Sequence, residues 1–258
     1  MIVKEISCKS LLNKTGLDCD YCINPYVGCS NNCVYCYARF MLRYSGHKEE
    51  WGSFVDVKVN AVDVLKSELR NRKPGSIFLS SVTDPYQKIE KDYELTKTIL
   101  EVLPKSFRPY ILTKSSLVTR DVKILKEFRR AQVGMTITSL HGWKNFEPNA
   151  SPVDERIGAL KELHKAGIRT HVFIGPVLPY ITDVDIDLLL REIKFVDSVM
   201  VDRLNIKSGN WPRIKEVVLK NYPDLFSKFS EAVFEDKGYY SDFKRKLRSL
   251  RKDASFCY

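Results

Sequence analysis

Short apolar runs alternate with amphipathic stretches along most of this chain. The runs are rich in Val, Ile, Leu, Phe and Tyr, as is typical of parallel strands that are buried on both faces. They span residues 77–79, 110–112, 133–137, 170–174 and 199–201. With one further strand near a cysteine-rich segment, they predict about six parallel strands.

Apolar residues at helical spacing fill the intervals between these strands. The stripes are Val62/Leu65/Leu69, Val122/Leu125/Phe128 and Ile157/Leu160/Leu163. Gly167 follows the third stripe and predicts a left-handed helix C-terminus. A strand–helix repeat of about 25–35 residues indicates right-handed crossovers. We therefore predict an α/β fold, a partial (β/α)6 barrel of the TIM type, with a doubly wound open sheet as the alternative.

The chain shows neither an internal repeat nor a low-complexity linker. At 258 residues it can bury one large core. We predict a single domain over 1–258, with the barrel core over about 20–205 and added C-terminal helices over about 206–258.

Composition is that of an ordinary globular protein, with 44% hydrophobic and 29% charged residues. No segment approaches the ~20 consecutive apolar residues of a membrane span, and the first residues lack the features of a secretory signal. We expect a cytoplasmic protein with no membrane partner. The oligomeric state is left open.

The net charge of +10 suits a polyanionic partner such as nucleic acid. The densest basic run comprises Lys244, Arg245, Lys246, Arg248, Arg251 and Lys252. We interpret it first as the solvated face of a C-terminal helix whose Phe243, Leu247 and Leu250 face the core. Contact with nucleic acid is the alternative.

Residues 24–39, called the cluster loop below, carry the strongest chemical signal. Cys29, Cys33 and Cys36 are separated by three and then two residues. A short loop of this kind can supply three thiolates to an iron–sulfur cubane. Three ligands leave the fourth iron open to a substrate or cofactor, as at an open catalytic metal site.

This spacing, with the aromatic Tyr35 directly before the third cysteine, resembles the cluster loop of the radical S-adenosylmethionine (radical SAM) superfamily. The wider sequence resembles its spore photoproduct lyase-related branch over about residues 20–205. The matching segments are 24–26, 37–39, 80–87, 112–115, 119–121, 136–139 and 146–148, with Arg156.

The resemblance implies a 4Fe–4S cluster on Cys29, Cys33 and Cys36, with S-adenosylmethionine bound to the open iron. An electron from a low-potential donor, a ferredoxin or flavodoxin, would then break a sulfur–carbon bond. The resulting 5′-deoxyadenosyl radical would abstract hydrogen from an unidentified substrate, with nucleic acid as one candidate. Whether S-adenosylmethionine is consumed or regenerated stays open.

The resemblance also implies contacts to the cofactor at the carboxyl ends of the strands. Ser81, Thr83 and Asp84 would meet the methionine amino group, while Lys114 and Arg156 would pair with its carboxylate.

Two further points follow from the resemblance. Ser139 could reach the ribose hydroxyls. Spore photoproduct lyases place a hydrogen-donating cysteine in the turn that corresponds to residues 81–83, and this chain has none there. We therefore do not expect repair of thymine photoproducts by that route.

Structural alternatives stand beside these assignments. Asp84, before Pro85, could simply form a turn. Lys114 could be a surface residue, and Arg156 could form an ion pair on a helix surface. For Arg39 we favour structural pairing.

The remaining cysteines are Cys8, Cys19, Cys22 and Cys257. They could hold an auxiliary metal, form a disulfide or pack as small apolar residues.

A competing hypothesis is a four-cysteine zinc module in a basic nucleic-acid-binding protein. It would use Cys19, Cys22, Cys33 and Cys36. That scheme gives no role to Cys29 or Tyr35.

Overall fold

The computed structural model describes residues 1–206 and 208–258. The strands within these ranges are β1 (Ile2–Ile6), β2 (Asn13–Lys14), β3 (Tyr21–Ile23), β4 (Tyr26–Val27), β5 (Phe54–Lys58), β6 (Ser76–Leu79), β7 (Arg108–Thr113), β8 (Gln132–Thr136), β9 (Arg169–Val177), β10 (Ser198–Arg203) and β11 (Ser255–Phe256). The α-helices are α1 (Leu42–Ser45), α2 (Ala61–Leu69), α3 (Glu90–Tyr93), α4 (Leu95–Val102), α5 (Val122–Leu125), α6 (Trp143–Phe146), α7 (Val153–Lys165), α8 (Ile186–Glu192), α9 (Trp211–Asn221), α10 (Phe226–Phe234) and α11 (Tyr239–Leu250). Short 3-10 helices span Tyr37–Met41, Ser116–Asp121, Thr182–Val184 and Pro223–Leu225.

Six parallel strands form the centre of the main sheet. Strands β3, β6, β7, β8, β9 and β10 lie side by side in chain order. A doubly wound sheet would reverse this order at a switch point. The sequential order therefore confirms the predicted partial barrel. Strand β2 extends the sheet antiparallel to β3, and β11 lies parallel to β10 at the other edge.

The predicted strands are present, with shifted ends. The run at 170–174 extends into the nine-residue β9, whereas β8 ends at Thr136, one residue before the predicted end. The stripe at 122–128 forms an α-helix only over Val122–Leu125. After it, Glu127 N–H donates to Ile124 O and Phe128 N–H donates to Leu125 O, a tighter pattern of bonds to the carbonyl three residues back. Gly167 has a φ of 81°, as a left-handed helix C-terminus requires.

A second sheet of three strands, in the order β1-β5-β4, was not predicted. Its central strand β5 is buried except at its last residue. Strand β4 lies inside the cluster loop and pairs antiparallel with β5. Through this pairing, the small sheet holds the start of the cluster loop against β5.

Three α-helices, one short 3-10 helix and one strand follow residue 210. In α11, Phe243 and Leu247 are buried as predicted, but Leu250 is 46% exposed. The prediction for Leu250 was wrong because α11 ends at this residue and the next adopts an extended conformation. None of the described helices is both long and apolar enough to cross a bilayer.

Candidate active site

One cavity brings together the cluster loop and the carboxyl ends of the barrel strands. Cys29, Cys33 and Cys36 line it. The strand ends contribute Ser80, Thr113, Lys114, Thr136, Pro176, Asp202 and Arg203 to its wall. Parallel strands place their carboxyl ends at one mouth, so residues more than a hundred positions apart meet there. The sequence prediction of this convergence is confirmed.

The three thiols are held in compact turns. Asn32 N–H donates to Cys29 O at 3.3 Å, and Cys36 N–H donates to Cys33 O at 3.2 Å. Gly28, just before the first cysteine, has a φ of 89°. A Cβ on Gly28 would lie 2.4 Å from Phe54 O, so any larger residue would push the loop off β5.

Burial disfavours the ionised form of all three thiols. It raises the pKa of Cys33 to about 12, although the positive charge of Lys114 opposes the shift. Burial also raises the pKa of Cys29 and of Cys36. Such thiols ionise when a metal replaces the proton, so metal loading would release protons here.

The donor set fits an iron–sulfur cubane. Within residues 1–206 and 208–258, no three Cys, His, Asp or Glu side chains converge on a point that could hold a single metal ion. A cubane does not need such a point, because each thiolate binds a different iron. Three thiols along one cavity wall therefore suit a cluster better than a lone zinc ion.

Asp84 connects the strand ends to the cluster loop. Its carboxylate accepts hydrogen bonds from Asn31 Nδ2 at 2.8 Å and from the backbone of Lys114 at 2.8 Å. It also accepts from Thr113 Oγ1 at 2.6 Å and Tyr86 N at 2.9 Å. Four donors satisfy both oxygens. Asp84 is thus more than a turn residue, although its side chain is fully engaged with protein.

Neighbouring residues of the same turn hold the start of the cluster loop. Thr83 Oγ1 donates to Gly28 O at 2.5 Å and accepts from Gln87 Nε2 at 3.0 Å. Gln87 is fully buried, and its side-chain oxygen accepts from Ser30 N at 2.7 Å. Ser81 borders the cavity, and its carbonyl accepts from the Tyr37 hydroxyl.

Tyr35 is anchored by a buried ion pair. Its hydroxyl donates to Glu147, which is fully buried and pairs with Arg156 Nη1 at 2.5 Å. Arg156 also donates to Thr136 O at 2.9 Å and Ser151 O at 2.7 Å. Arg156 is therefore neither a surface residue nor part of the cavity wall. Its charge neutralises Glu147.

Lys114 differs from Arg156, because its charge has no ion-pair partner among the described residues. Its Nζ lies 5.6 Å from the centre of the Tyr35 ring. Within the described chain, this ammonium group has neither an ion pair nor a hydrogen bond. Burial lowers the pKa of Lys114, but its interactions with Cys33, Glu147 and Asp84 outweigh burial and raise it overall. The side chain is therefore a charged, unengaged cation beside the thiols.

Ser139 does not reach the cavity. It lies three residues beyond the end of β8, where its hydroxyl donates to Asp185 Oδ2 at 3.0 Å and accepts from Gly142 N at 2.9 Å. Because β8 ends at Thr136, that residue takes the place in the cavity wall which the sequence had suggested for Ser139.

Ser80 is a cavity residue to which the sequence assigned no role. It has a φ of 72°, which is unusual for a residue other than glycine. Its hydroxyl is buried and has no hydrogen-bond partner. Strained backbone and unsatisfied polar atoms cluster at ligand sites. Neither signal is visible in the sequence, since both depend on tertiary contacts.

Among the described residues, the other four cysteines form no group of three that could hold a metal ion, and all seven cysteines are free thiols. The backbone of Cys8 bonds to Asn60, and the backbone of Cys257 bonds to β10. Cys22 is buried in β3, with its sulfur 3.2 Å from Ser81 Oγ. Neither the disulfide nor the auxiliary metal site finds support.

A comparison with protein families decides the assignment. The protein-family model described as "Radical SAM superfamily" matches residues 23–193 of this chain. The chain belongs to the radical SAM superfamily. It is therefore an enzyme, and membership implies a 4Fe–4S cluster, S-adenosylmethionine and a reductant. The zinc-module hypothesis has no support.

Two relatives are similar to this chain over most of its length. An uncharacterized protein of Methanocaldococcus jannaschii is 38% identical over 226 residues, covering 86% of this chain and 84% of the relative. A protein of Pseudomonas phage M6 named Radical SAM Nalpha-GlyT isomerase is 26% identical over 223 residues. The match covers 83% of this chain and 45% of the phage protein.

A solved structure shares the fold. It is a mutant spore photoproduct lyase with bound AdoMet and dinucleoside spore photoproduct, with a TM-score of 0.69 and 16% identity. The match covers 99% of this chain and 81% of the lyase. This likeness confirms the radical SAM partial barrel.

Proposed function

We propose that Cys29, Cys33 and Cys36 hold the 4Fe–4S cluster and leave one iron for S-adenosylmethionine. The supporting observation is that all three thiols line one cavity together with the carboxyl ends of the barrel strands. When bound, the two cofactors supply reductive cleavage of a sulfur–carbon bond and a 5′-deoxyadenosyl radical that abstracts hydrogen from the substrate.

Lys114 is our proposed partner for the methionine carboxylate, because its ammonium group is charged and unengaged beside the thiols. For the amino group we propose the turn from Ser80 to Asp84, with the unpartnered Ser80 hydroxyl as an added contact. Asp84 and Thr83 would act by shaping this turn, and Arg156 by neutralising Glu147.

A nucleic acid is the proposed substrate. The lyase that shares this fold was solved with a dinucleoside spore photoproduct, and the chain carries a net charge of +10. Phe78 and Phe173 line the cavity, and aromatic side chains are suitable stacking surfaces for an unstacked base. Photoproduct repair is not proposed, because residues 81–83 contain no cysteine.

A ferredoxin or flavodoxin would supply the electron. Free thiols throughout the chain suit a reducing compartment such as the cytoplasm.

The Cys33→Ala variant tests the cluster assignment. After anaerobic reconstitution, iron and sulfide content should fall, and dithionite should no longer drive formation of 5′-deoxyadenosine. The loss is expected because two thiolates would remain for three irons. Cys8→Ala, away from the cavity, serves as the matched control.

Unchanged iron and unchanged 5′-deoxyadenosine in Cys33→Ala would contradict the assignment. So would a wild-type protein that contains zinc in place of iron.

A further inference from the structure

Two arginines, one within the cluster loop and one packed against it, have no carboxylate within ion-pairing distance in the described chain. Arg39 lies three residues after Cys36, in the 3-10 helix Tyr37–Met41, and Arg213 is in the first turn of α9. Arg213 Nη2 donates to Asn32 Oδ1 at 2.9 Å, next to Cys33. In the described part of the chain, neither guanidinium has an ion pair within 4 Å. The structural pairing favoured for Arg39 is absent from these residues.

Each of these arginines also has an unsatisfied nitrogen. The Nη1 atoms of Arg39 and Arg213 are both buried and have no hydrogen-bond partner. A buried donor left unpaired costs about 1–3 kcal/mol, and more when it is charged. Two such donors at one place indicate that an anionic group completes the site.

The electrostatics agree with this interpretation. Burial, followed by the positive charge of Arg213, lowers the pKa of Arg39, while Glu50 opposes the shift. The two cations therefore repel each other at partial burial. A carboxylate or phosphate that contacts the accessible part of these half-buried guanidiniums would relieve the repulsion.

The location distinguishes between possible anions. Neither Arg39 nor Arg213 is part of the cavity wall, although Ala38 is. An anion held by this pair would therefore contact the cluster loop beyond the cavity wall, away from the place proposed for S-adenosylmethionine. A partner that needs access to the cluster alone is a protein that delivers electrons.

We infer that Arg39 and Arg213 form the docking site for surface carboxylates of an acidic electron-transfer protein. The inference rests on the cluster position proposed above. The cluster, when bound to Cys29, Cys33 and Cys36, would accept one electron from the docked reduced donor, which would be oxidised, with no bond made or broken. Complementary charge of this kind mainly sets the rate and specificity of encounter.

The test compares two reductants on the reconstituted enzyme. Cluster reduction is followed by stopped-flow absorbance, with an acidic ferredoxin or with dithionite, in wild type and Arg39→Gln/Arg213→Gln. The double variant should raise the KM for ferredoxin about tenfold, with a weaker dependence on salt. Reduction by dithionite should stay within about twofold, because a small reductant needs no docking site.

Matched variants distinguish the loss of positive charge from a disturbance of the fold. Arg43→Gln removes an exposed arginine near the same loop and should leave the KM for ferredoxin unchanged. The charge-conserving Arg39→Lys/Arg213→Lys should retain most of the salt-dependent affinity. Anaerobic calorimetry with the oxidised ferredoxin gives a binding readout that does not depend on catalysis.

Three results would overturn the inference. The first is an equal KM for ferredoxin in wild type and the Gln double variant. The second is a parallel loss of reduction by dithionite, which would give the arginines a role in folding the loop. The third is weaker binding of a single-stranded 12-mer DNA with unchanged ferredoxin affinity, which would make nucleic acid the occupant. Failure of the proposed function would look different, as a wild type without iron or without 5′-deoxyadenosine.

Discussion

At the scale of single residues, the polar motif positions divide into two groups. Asp84 and Thr83 use their side chains on protein atoms and so hold the cluster loop in place. Lys114 and Ser80 reach the same cavity with a free ammonium group and a free hydroxyl. Because polar groups without partners are costly when buried, only the second group is built to meet a ligand.

Lys114→Gln tests this division. It removes the charge but keeps a polar side chain, so the KM for S-adenosylmethionine should rise about ten- to a hundredfold, as the loss of one charge-assisted hydrogen bond predicts. The measurement is 5′-deoxyadenosine formation with dithionite over a range of cofactor concentrations. Lys123→Gln, on the exposed side of α5, is the control. A KM that stays at the wild-type value would exclude Lys114 as the carboxylate partner.

At the scale of elements, a buried ion pair joins the cluster loop to the barrel. Arg156 on α7 pairs with Glu147 after α6, and Glu147 accepts from Tyr35. Arg156 also bonds to Thr136 O at the end of β8. One chain of contacts thus fixes the orientation of the residue that precedes Cys36.

Arg156→Met should destabilise the apoprotein by about 3–5 kcal/mol, because Glu147 would remain buried without its counter-charge. Denaturant unfolding measures the loss, and Arg130→Met on the protein surface is the control. Adding Glu147→Leu to Arg156→Met should recover part of the stability, because the unpaired Glu147 carboxylate would no longer be buried. A double variant no more stable than Arg156→Met would show that the charge is not the cause.

At the scale of the whole molecule, some basic side chains are paired within the protein and others have no ion-pair partner among the described residues. In α11, Arg245 pairs with Asp242, Lys246 pairs with Asp187, and Lys244 packs over the Phe256 ring. This supports the structural interpretation of the C-terminal basic run. Arg203, by contrast, is an exposed cation at the cavity mouth with no ion pair in the described chain.

Nucleic-acid binding should therefore depend on the mouth more than on α11. The observable is the anisotropy of a labelled single-stranded 12-mer DNA and of tRNA at increasing salt. Wild-type affinity should fall linearly in a log–log plot, and Arg203→Gln should reduce the slope by about one phosphate contact. Arg245→Gln, which breaks a surface ion pair, should leave the slope unchanged. Affinity that does not respond to salt would exclude a nucleic-acid substrate of this kind.

Much of the architecture could be predicted from the sequence because it depends on local pattern. Buried parallel strands and their crossover helices have periodicities that a chain displays directly, and these predicted the six-stranded partial barrel. The family was predicted by resemblance, because Cys29, Cys33, Cys36 and Tyr35 stand at the spacing found in the radical SAM cluster loop.

What tertiary structure alone decided is how each polar side chain is used. Sequence reasoning placed Arg156 and Ser139 at the cofactor, but long-range partners, Glu147 and Asp185, engage both elsewhere. The free hydroxyl of Ser80 and the unneutralised pair Arg39 and Arg213 were equally invisible in the sequence. Whether a polar atom is free depends on neighbours that can lie a hundred residues away, and no local pattern encodes those neighbours.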